Sequence, residues 1–348
     1  MRAYLTSPLI ALALALAVAA PTPAALRGGA PIQKEDKSAK EQKALELAKS
    51  AKPVVWHDPG AIESLDFTYG AGGQENAPVP PFKFVEEDLG ASNPKVKVTD
   101  ANGRRWSVKF GGEVNAEVFA SRIAWAAGYF VEPGYFVASG KLDGVDQSKL
   151  TRAKKFIGPD GSFTSGRFEL KIDSLAKLKD EQGWDWRKNP FTGTKELNGL
   201  KVVMMLTSNW DNKDVRDISR GSNTAIYVVE TPNGNEARYY ITDWGGSMGK
   251  WGGVFGRAKW DPEGYAKQSS SFLKVSGDKV EFGYSGQHTG DWKADIKASD
   301  VAWIAQYLAR ITDEQLHTGL QAAGATPAEI STLTPAIRMR IDQLKKVH

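Results

Sequence analysis

Two hydrophobic periods follow each other without a break between Lys95 and Ala127, and no single regular element satisfies both. Lys95–Val98 and Trp106–Phe110 alternate in the manner of strands, and Asp100-Ala101-Asn102-Gly103 between them carries the Asn-Gly pair that a tight hairpin turn favours. Gly111-Gly112 then opens a helix predicted over about Glu113 to Ala127, stopped by Gly128. Within that helix Val114, Val118, Ser121 and Trp125 form one stripe, and Glu113, Glu117, Ala120 and Ala124 form the row beside it. The strand alternation sets Trp106, Val108 and Phe110 on one face and Ser107 and Lys109 on the other. A strand lysine therefore leads straight into a helix bearing two glutamates one turn apart. Either Lys109 pairs with one of them, or it is an exposed strand residue and both glutamates favour the positive end of their helix.

The remainder of the chain sets the class. With 348 residues and 41% hydrophobic content it can bury a large core, as one two-lobed domain or as two domains. The net charge of +4, from 45 basic and 41 acidic residues interspersed without a basic block, gives no reason to expect nucleic acid as a partner. The absence of cysteine excludes disulfides, thiolate nucleophiles and cysteine metal sites together. At the N-terminus, Arg2 precedes the apolar run Leu9–Ala20 and small residues that offer cleavage after Ala20 or Ala25. This is the pattern of an export signal over 1–25, and no later segment is long and apolar enough to span a bilayer. Residues 26–81 are predicted to form a lead-in: a Lys/Glu/Ala-rich tether or solvated helix, then an irregular Gly- and Pro-rich stretch from Pro53 to Pro81.

From residue 82 the expectation is α+β. Tyr129–Ser139, around Glu132-Pro133-Gly134, is predicted as another hairpin, giving a small antiparallel sheet with a helix on it over 82–140. The following 141–348 is mainly helical, with 141–195 as an inserted polar, Gly-rich loop that contains a helical piece near Ile172–Gln182. Trp184 and Trp186 in that loop serve either as stacking platforms for a sugar or base or as a hydrophobic latch. A helix is predicted over Leu197–Leu206 and two more near the end, Asp300–Ile311 and Pro327–Val347.

The chemistry gathers in Asn209–Gly249. Asp211 follows the helix Leu197–Leu206, Asn223 precedes the strand-like run Ala225–Val229, and Asp243 follows the strand-like Arg238–Thr242 and begins Asp-Trp-Gly-Gly. An acid, an amide and a second acid at element ends, with a strand lysine and helix glutamate upstream, is the order used for phosphoryl transfer: a loop Asp, a metal-holding Asn and a metal-holding Asp before glycine. Asp211 and Asn223 stand twelve apart, so an insertion separates them.

On these segments, from Arg104 to Val131, from Leu197 to Asp214 and from Tyr239 to Gly249, the chain resembles bacterial proteins of the atypical protein-kinase-like superfamily. That superfamily includes toxin-associated serine kinases, secreted Golgi-type kinases and lipid-kinase-like proteins; the exported bacterial members are the most similar. The resemblance covers roughly 82–325 and implies a two-lobed kinase-like fold using ATP and Mg²⁺. It implies that Lys109 contacts nucleotide phosphates with Glu117 or Glu113 as its partner, that Asp211 is the catalytic-loop aspartate with Lys213 beside it, and that Asn223 and Asp243 hold Mg²⁺. The phosphate acceptor, whether protein, lipid or saccharide, is left open. No clear Gly-rich phosphate loop precedes Lys109.

Other chemistries compete. Asp211 and Asp243 as paired glycosidase carboxylates, with the eleven tryptophans as sugar platforms, suit an exported protein. A non-catalytic, pseudokinase-like module binding carbohydrate or peptide is a further alternative. Asp211, Asp214 and Asp217 have the wrong spacing for an EF-hand loop, there is no nucleophile elbow, and His57, His288, His317 and His348 lack zinc-ligand spacing.

Overall fold

The computed structural model describes residues 37–90, 93–172, 176–177, 184–211, 223–253, 255–277, 279–285 and 293–348. The expected signal over 1–25 and residues 26–36 of the lead-in lie outside them. The chain enters through helix α1 (Lys37–Ala48) and strand β1 (Lys52–Val54). Strands β2 (Phe82–Glu87), β3 (Lys95–Thr99) and β4 (Arg105–Lys109) follow, then helix α2 (Val114–Ala126) and strands β5 (Gly134–Asp143) and β6 (Ser162–Leu170).

Strands β2 to β6 close a barrel in the order β2-β3-β4-β6-β5. The predicted hairpin is present as the antiparallel β3–β4 pair, in register from Lys95 opposite Lys109 to Thr99 opposite Arg105. The small antiparallel sheet expected over 82–140 is corrected in two ways. First, β2 and β5 join in parallel through Phe82–Leu142 and Lys83–Asp143, which closes the sheet and ties up edges that an open sheet leaves unpaired. Second, Tyr129–Ser139 is not a hairpin: Tyr129 bridges to Trp56, and the run after Pro133 continues as β5 to Asp143. The partner of β5 is β6, paired from Gly134–Glu169 to Lys141–Ser162, so a strand from the segment expected to be an inserted loop completes the barrel. Phe82, Val98, Trp106, Phe163 and Phe168 fill its interior.

Helix α2 is buried on nearly every side. Its alanines allow close approach, and Val118, Phe119 and Ile123 join the larger hydrophobic cluster formed with the later helices. It ends at Gly128, whose φ of 91° is in the left-handed region and whose α-carbon has no room for a side chain beside the His57 carbonyl and the Trp56 ring.

Strands β7 (Ala176–Lys177), β8 (Thr224–Thr231) and β9 (Gly234–Ile241) form a second sheet with β1, in the order β1-β9-β8-β7, and helix α3 (Lys195–Leu206) precedes β8 in the chain. Two further expectations are corrected here. The lead-in contributes a strand, with Lys52 of β1 lying parallel to Glu236 of β9, and of the helix predicted near Ile172–Gln182 the described residues Ala176 and Lys177 are extended and paired with β8. The strand-like run Ala225–Val229 is present in β8 and Arg238–Thr242, but for Thr242, in β9; the two strands pair as a hairpin in register from Thr224–Ile241 to Thr231–Gly234.

Helix α4 (Pro262–Ser269), the hairpin of β10 (Leu273–Ser276) and β11 (Lys279–Phe282), and helices α5 (Ala298–Leu308), α6 (Asp313–Ala322) and α7 (Pro327–Leu344) complete the chain. Three terminal helices stand where two were expected. Thr312 with Gln315 and Thr326 with Glu329 form reciprocal capping boxes that start α6 and α7 as separate helices. No helix among the described residues is long and apolar enough to cross a membrane.

Candidate functional site

Lys109 is the last residue of β4, and the barrel's closure turns its side chain toward α2. Its Nζ lies 2.8 Å from Glu117 Oε2, 3.3 Å from Glu113 Oε2 and 3.9 Å from Asp243 Oδ1. Only 8% of Lys109 and 2% of Glu117 is exposed, so the pair is desolvated and not an ornament of the surface. The choice between Glu113 and Glu117 resolves into both, with Glu117 nearer. Glu113 also accepts from Lys259 and Asn93, each at 2.6 Å.

These contacts set the protonation of the group. Burial alone pulls Lys109 down, but Glu117 and then Asp243 more than offset it and hold the ammonium above its ordinary range. Burial pushes Glu117 up; Arg167 and Lys109 oppose without cancelling it. Asp243 is likewise raised by burial, with Lys109 opposing and Glu113 adding to the rise. Burial acts on Glu113 in the same sense, yet Lys109 and Lys259 outweigh it and its carboxyl falls below the usual range.

Asp243 stands two residues beyond β9, and its Oδ1 accepts from the Gly245 amide at 2.9 Å, which fixes the Asp-Trp-Gly-Gly turn. The two glycines of that turn are there for space. A side chain at Gly245 would meet Glu113 Cβ at 2.8 Å, and one at Gly246 would meet Asp211 Cβ at 2.8 Å, so the turn slots between the two acids. Asp211 donates its amide to Asn209 Oδ1 at 3.0 Å, and Asn209 Nδ2 donates to the Asp243 carbonyl at 3.3 Å. Asn223 has a φ of 65°, which asparagine tolerates, and its carbonyl accepts from Thr242 N at 2.9 Å, directly before Asp243. Lys213 lies outside the described residues.

Glu113, Glu117 and Asp243 each offer a carboxylate oxygen, all within 4.8 Å of one another. Hard oxygen donors suit Mg²⁺ or a similar divalent ion, but Lys109 already lies among the three and Glu117 is held on both oxygens by Lys109 and Arg167, so of this set Asp243 is the donor that fits the expected metal. Through the Asn223 backbone the structure ties that residue to the segment leading into Asp243.

Three residues of this neighbourhood escaped the sequence reading. Arg167, opposite Lys109 in the β4–β6 register, reaches Glu117 Oε1 at 3.0 Å and Glu169 Oε2 at 2.6 Å. Its signal was the strand alternation of Arg167 and Glu169 with Phe168 and Leu170. Asn209, wholly buried, and Lys259 carry no local pattern that marks them. Trp184 and Trp186, by contrast, are 5% and 3% exposed and pack on each other, with Trp184 donating to the Tyr240 carbonyl, which makes them core and not sugar platforms.

No family model matches the sequence, and no curated protein matches it significantly. Among solved structures, a Golgi casein kinase matches over 93% of this chain and 96% of its own, at 10% identity and a TM-score of 0.38. The same kinase with Mn/ADP bound matches over 92% and 94%, at 10% identity and a TM-score of 0.40. The likeness is too distant to carry a residue's role across.

Proposed function

We propose that this chain is an ATP- and Mg²⁺-dependent phosphotransferase of the kinase type, exported by its N-terminal signal and acting on a protein, lipid or saccharide acceptor. The observation that carries the reading is the desolvated Lys109–Glu117 pair at 2.8 Å with the more exposed Asp243 at 3.9 Å from Lys109. A buried lysine fixed by a helix glutamate, beside a carboxylate on a glycine turn, presents an ammonium and a metal ligand to one small volume. Phosphoryl transfer asks for that arrangement and for little covalent chemistry from the protein.

In this reading the barrel and α2 form the smaller lobe and the elements from α3 onward the larger. Lys109 binds nucleotide phosphate oxygens, and Glu117 keeps it aimed. Asp243, with Asn223 beside its strand, would hold Mg²⁺, which when bound neutralises charge on the phosphates. Asp211 accepts the proton of the acceptor hydroxyl and orients it, Asn209 holds the Asp211 backbone in place, and Lys213 lies two residues on. Against the glycosidase alternative, five of the eleven tryptophans it would use as sugar platforms, Trp106, Trp184, Trp186, Trp244 and Trp251, are buried.

The test is Asp211→Asn. A group that orients the acceptor acts mainly in the transition state, so turnover of ATP should fall by about 10²-fold or more with nucleotide affinity nearly unchanged. Wild-type protein that neither binds ATP with Mg²⁺ nor turns it over would refute the proposal, and glycan hydrolysis measured alongside would point to the glycosidase instead.

A further inference from the structure

The barrel holds a second cation that the phosphotransfer reading does not use. Arg167 is 4% exposed and lies directly across the β4–β6 pairing from Lys109. Its fork is divided: Nη2 pairs with Glu117 Oε1 at 3.0 Å, and Nη1 pairs with Glu169 Oε2 at 2.6 Å. Glu169 in turn pairs with Lys171, nearer the surface. Glu117 is therefore gripped on both oxygens, Oε2 by Lys109 and Oε1 by Arg167.

This division has a geometric consequence. A carboxylate bonded at one oxygen can swing about its last torsion, whereas one bonded at both by cations from two neighbouring strands cannot. A guanidinium is planar and preorganised, so it can hold Glu117 and Glu169 at once, which a single ammonium does poorly. Without Arg167, Oε1 would sit in the interior with no cation. The Glu117 side chain would then re-seat, and Lys109 would lean toward Glu113 and Asp243, which are more exposed than Glu117.

We propose that Arg167, braced by Glu169, is a positioning residue that fixes Glu117 and through it the aim of Lys109. Its activity consequence rests on the phosphotransfer reading; its effect on Lys109 does not. The experiment therefore has two arms on the full mature chain, using Arg167→Met and Arg167→Lys. In the first, without nucleotide, acylation of Lys109 by a small N-hydroxysuccinimide ester is followed by peptide mass spectrometry against the other lysines. Lys109 labelling should rise several-fold in Arg167→Met and less in Arg167→Lys.

In the second arm, ATP·Mg²⁺ affinity should weaken about tenfold in Arg167→Met, the scale typical of groups that orient a ligand from behind, with partial rescue by Arg167→Lys. In a Lys109→Met background the Arg167 substitution should change that affinity no further, although it still lowers the melting temperature. Unchanged Lys109 labelling in the variants overturns the proposal, as does an affinity loss that persists undiminished without Lys109. If wild-type protein binds no nucleotide, the phosphotransfer reading fails and the labelling arm alone decides. Should Arg167→Met not fold, Arg167→Lys still gives both readouts.

Discussion

Replacing Lys109 by methionine removes the cation that three carboxylates share, and the structure says how the damage should depend on pH. Glu113, Glu117 and Asp243 present oxygens within 4.8 Å of one another. At an effective dielectric of ~20, two ionised groups 4.8 Å apart repel by about 3 kcal/mol, some 2.5 pKa units. Lys109 offsets this in the wild type, its 2.8 Å approach to Glu117 being worth about 6 kcal/mol of attraction on the same scale. Arg167 on Glu117 and Lys259 on Glu113 survive the substitution, so the net destabilisation should be about 3 kcal/mol, the low end for breaking a buried pair.

Its sign with pH follows from linkage. Glu117 and Asp243 already lie above the usual carboxylate range, and losing Lys109 raises both further. The folded variant then holds protons that its unfolded chain releases. Its stability should therefore rise as pH falls from neutrality toward the ordinary carboxylate range. Urea unfolding of wild type and Lys109→Met in chelator, at about pH 8 and about pH 5, should show the gap between them narrowing by at least about 1 kcal/mol on acidification. A gap independent of pH would mean that the three acids do not share this cation.

Gly246→Ala should press a methyl group against Asp211 Cβ, where only 2.8 Å is available, and so move that acid by several tenths of an ångström. Turnover should fall about tenfold or more while circular dichroism stays unchanged, and unaltered turnover would detach Asp211 from the chemistry. Arg340 on α7 is wholly buried, donates to the Leu206 and Tyr265 carbonyls and to the Ser208 and Ser269 hydroxyls, and stacks on Tyr265 at 3.4 Å. Arg340→Leu strands those acceptors and should cost about 3 kcal/mol by denaturant unfolding, with the Lys109 labelling rate unchanged.

What the sequence disclosed follows contact range and the fate of charge. The β3–β4 hairpin and α2 were legible because their signals are local: an Asn-Gly turn, a two-residue alternation and a glycine stop. Strand β1 was not, since its partner β9 lies far along the chain, at Glu236 for Lys52, and nothing near Pro53 announces it. Strand β6 is hidden in the sequence because Arg167 and Glu169 give it the pattern of a solvated segment. They are buried, and their counter-charges come from α2 and from Lys171. Pattern reading assigns charge to the surface, and it fails where a network pays for burial from elsewhere in the fold.

For the same reason Lys109 and Asp243 stand out in the sequence and Arg167 does not. Lys109 and Asp243 sit at element ends, where a polar residue before a glycine draws notice, whereas Arg167 lies mid-strand. Yet the mid-strand residue gives the site its polarity. With Arg167 and Lys109 both on Glu117, the deep end of the cluster is neutralised by cations from two strands. Asp243, one-fifth exposed and 3.9 Å from Lys109, is the most exposed of the three acids. A site so graded keeps its ammonium fixed in the interior and its most exposed carboxylate outermost, so an incoming cation meets Asp243 before it meets the pair that aims Lys109.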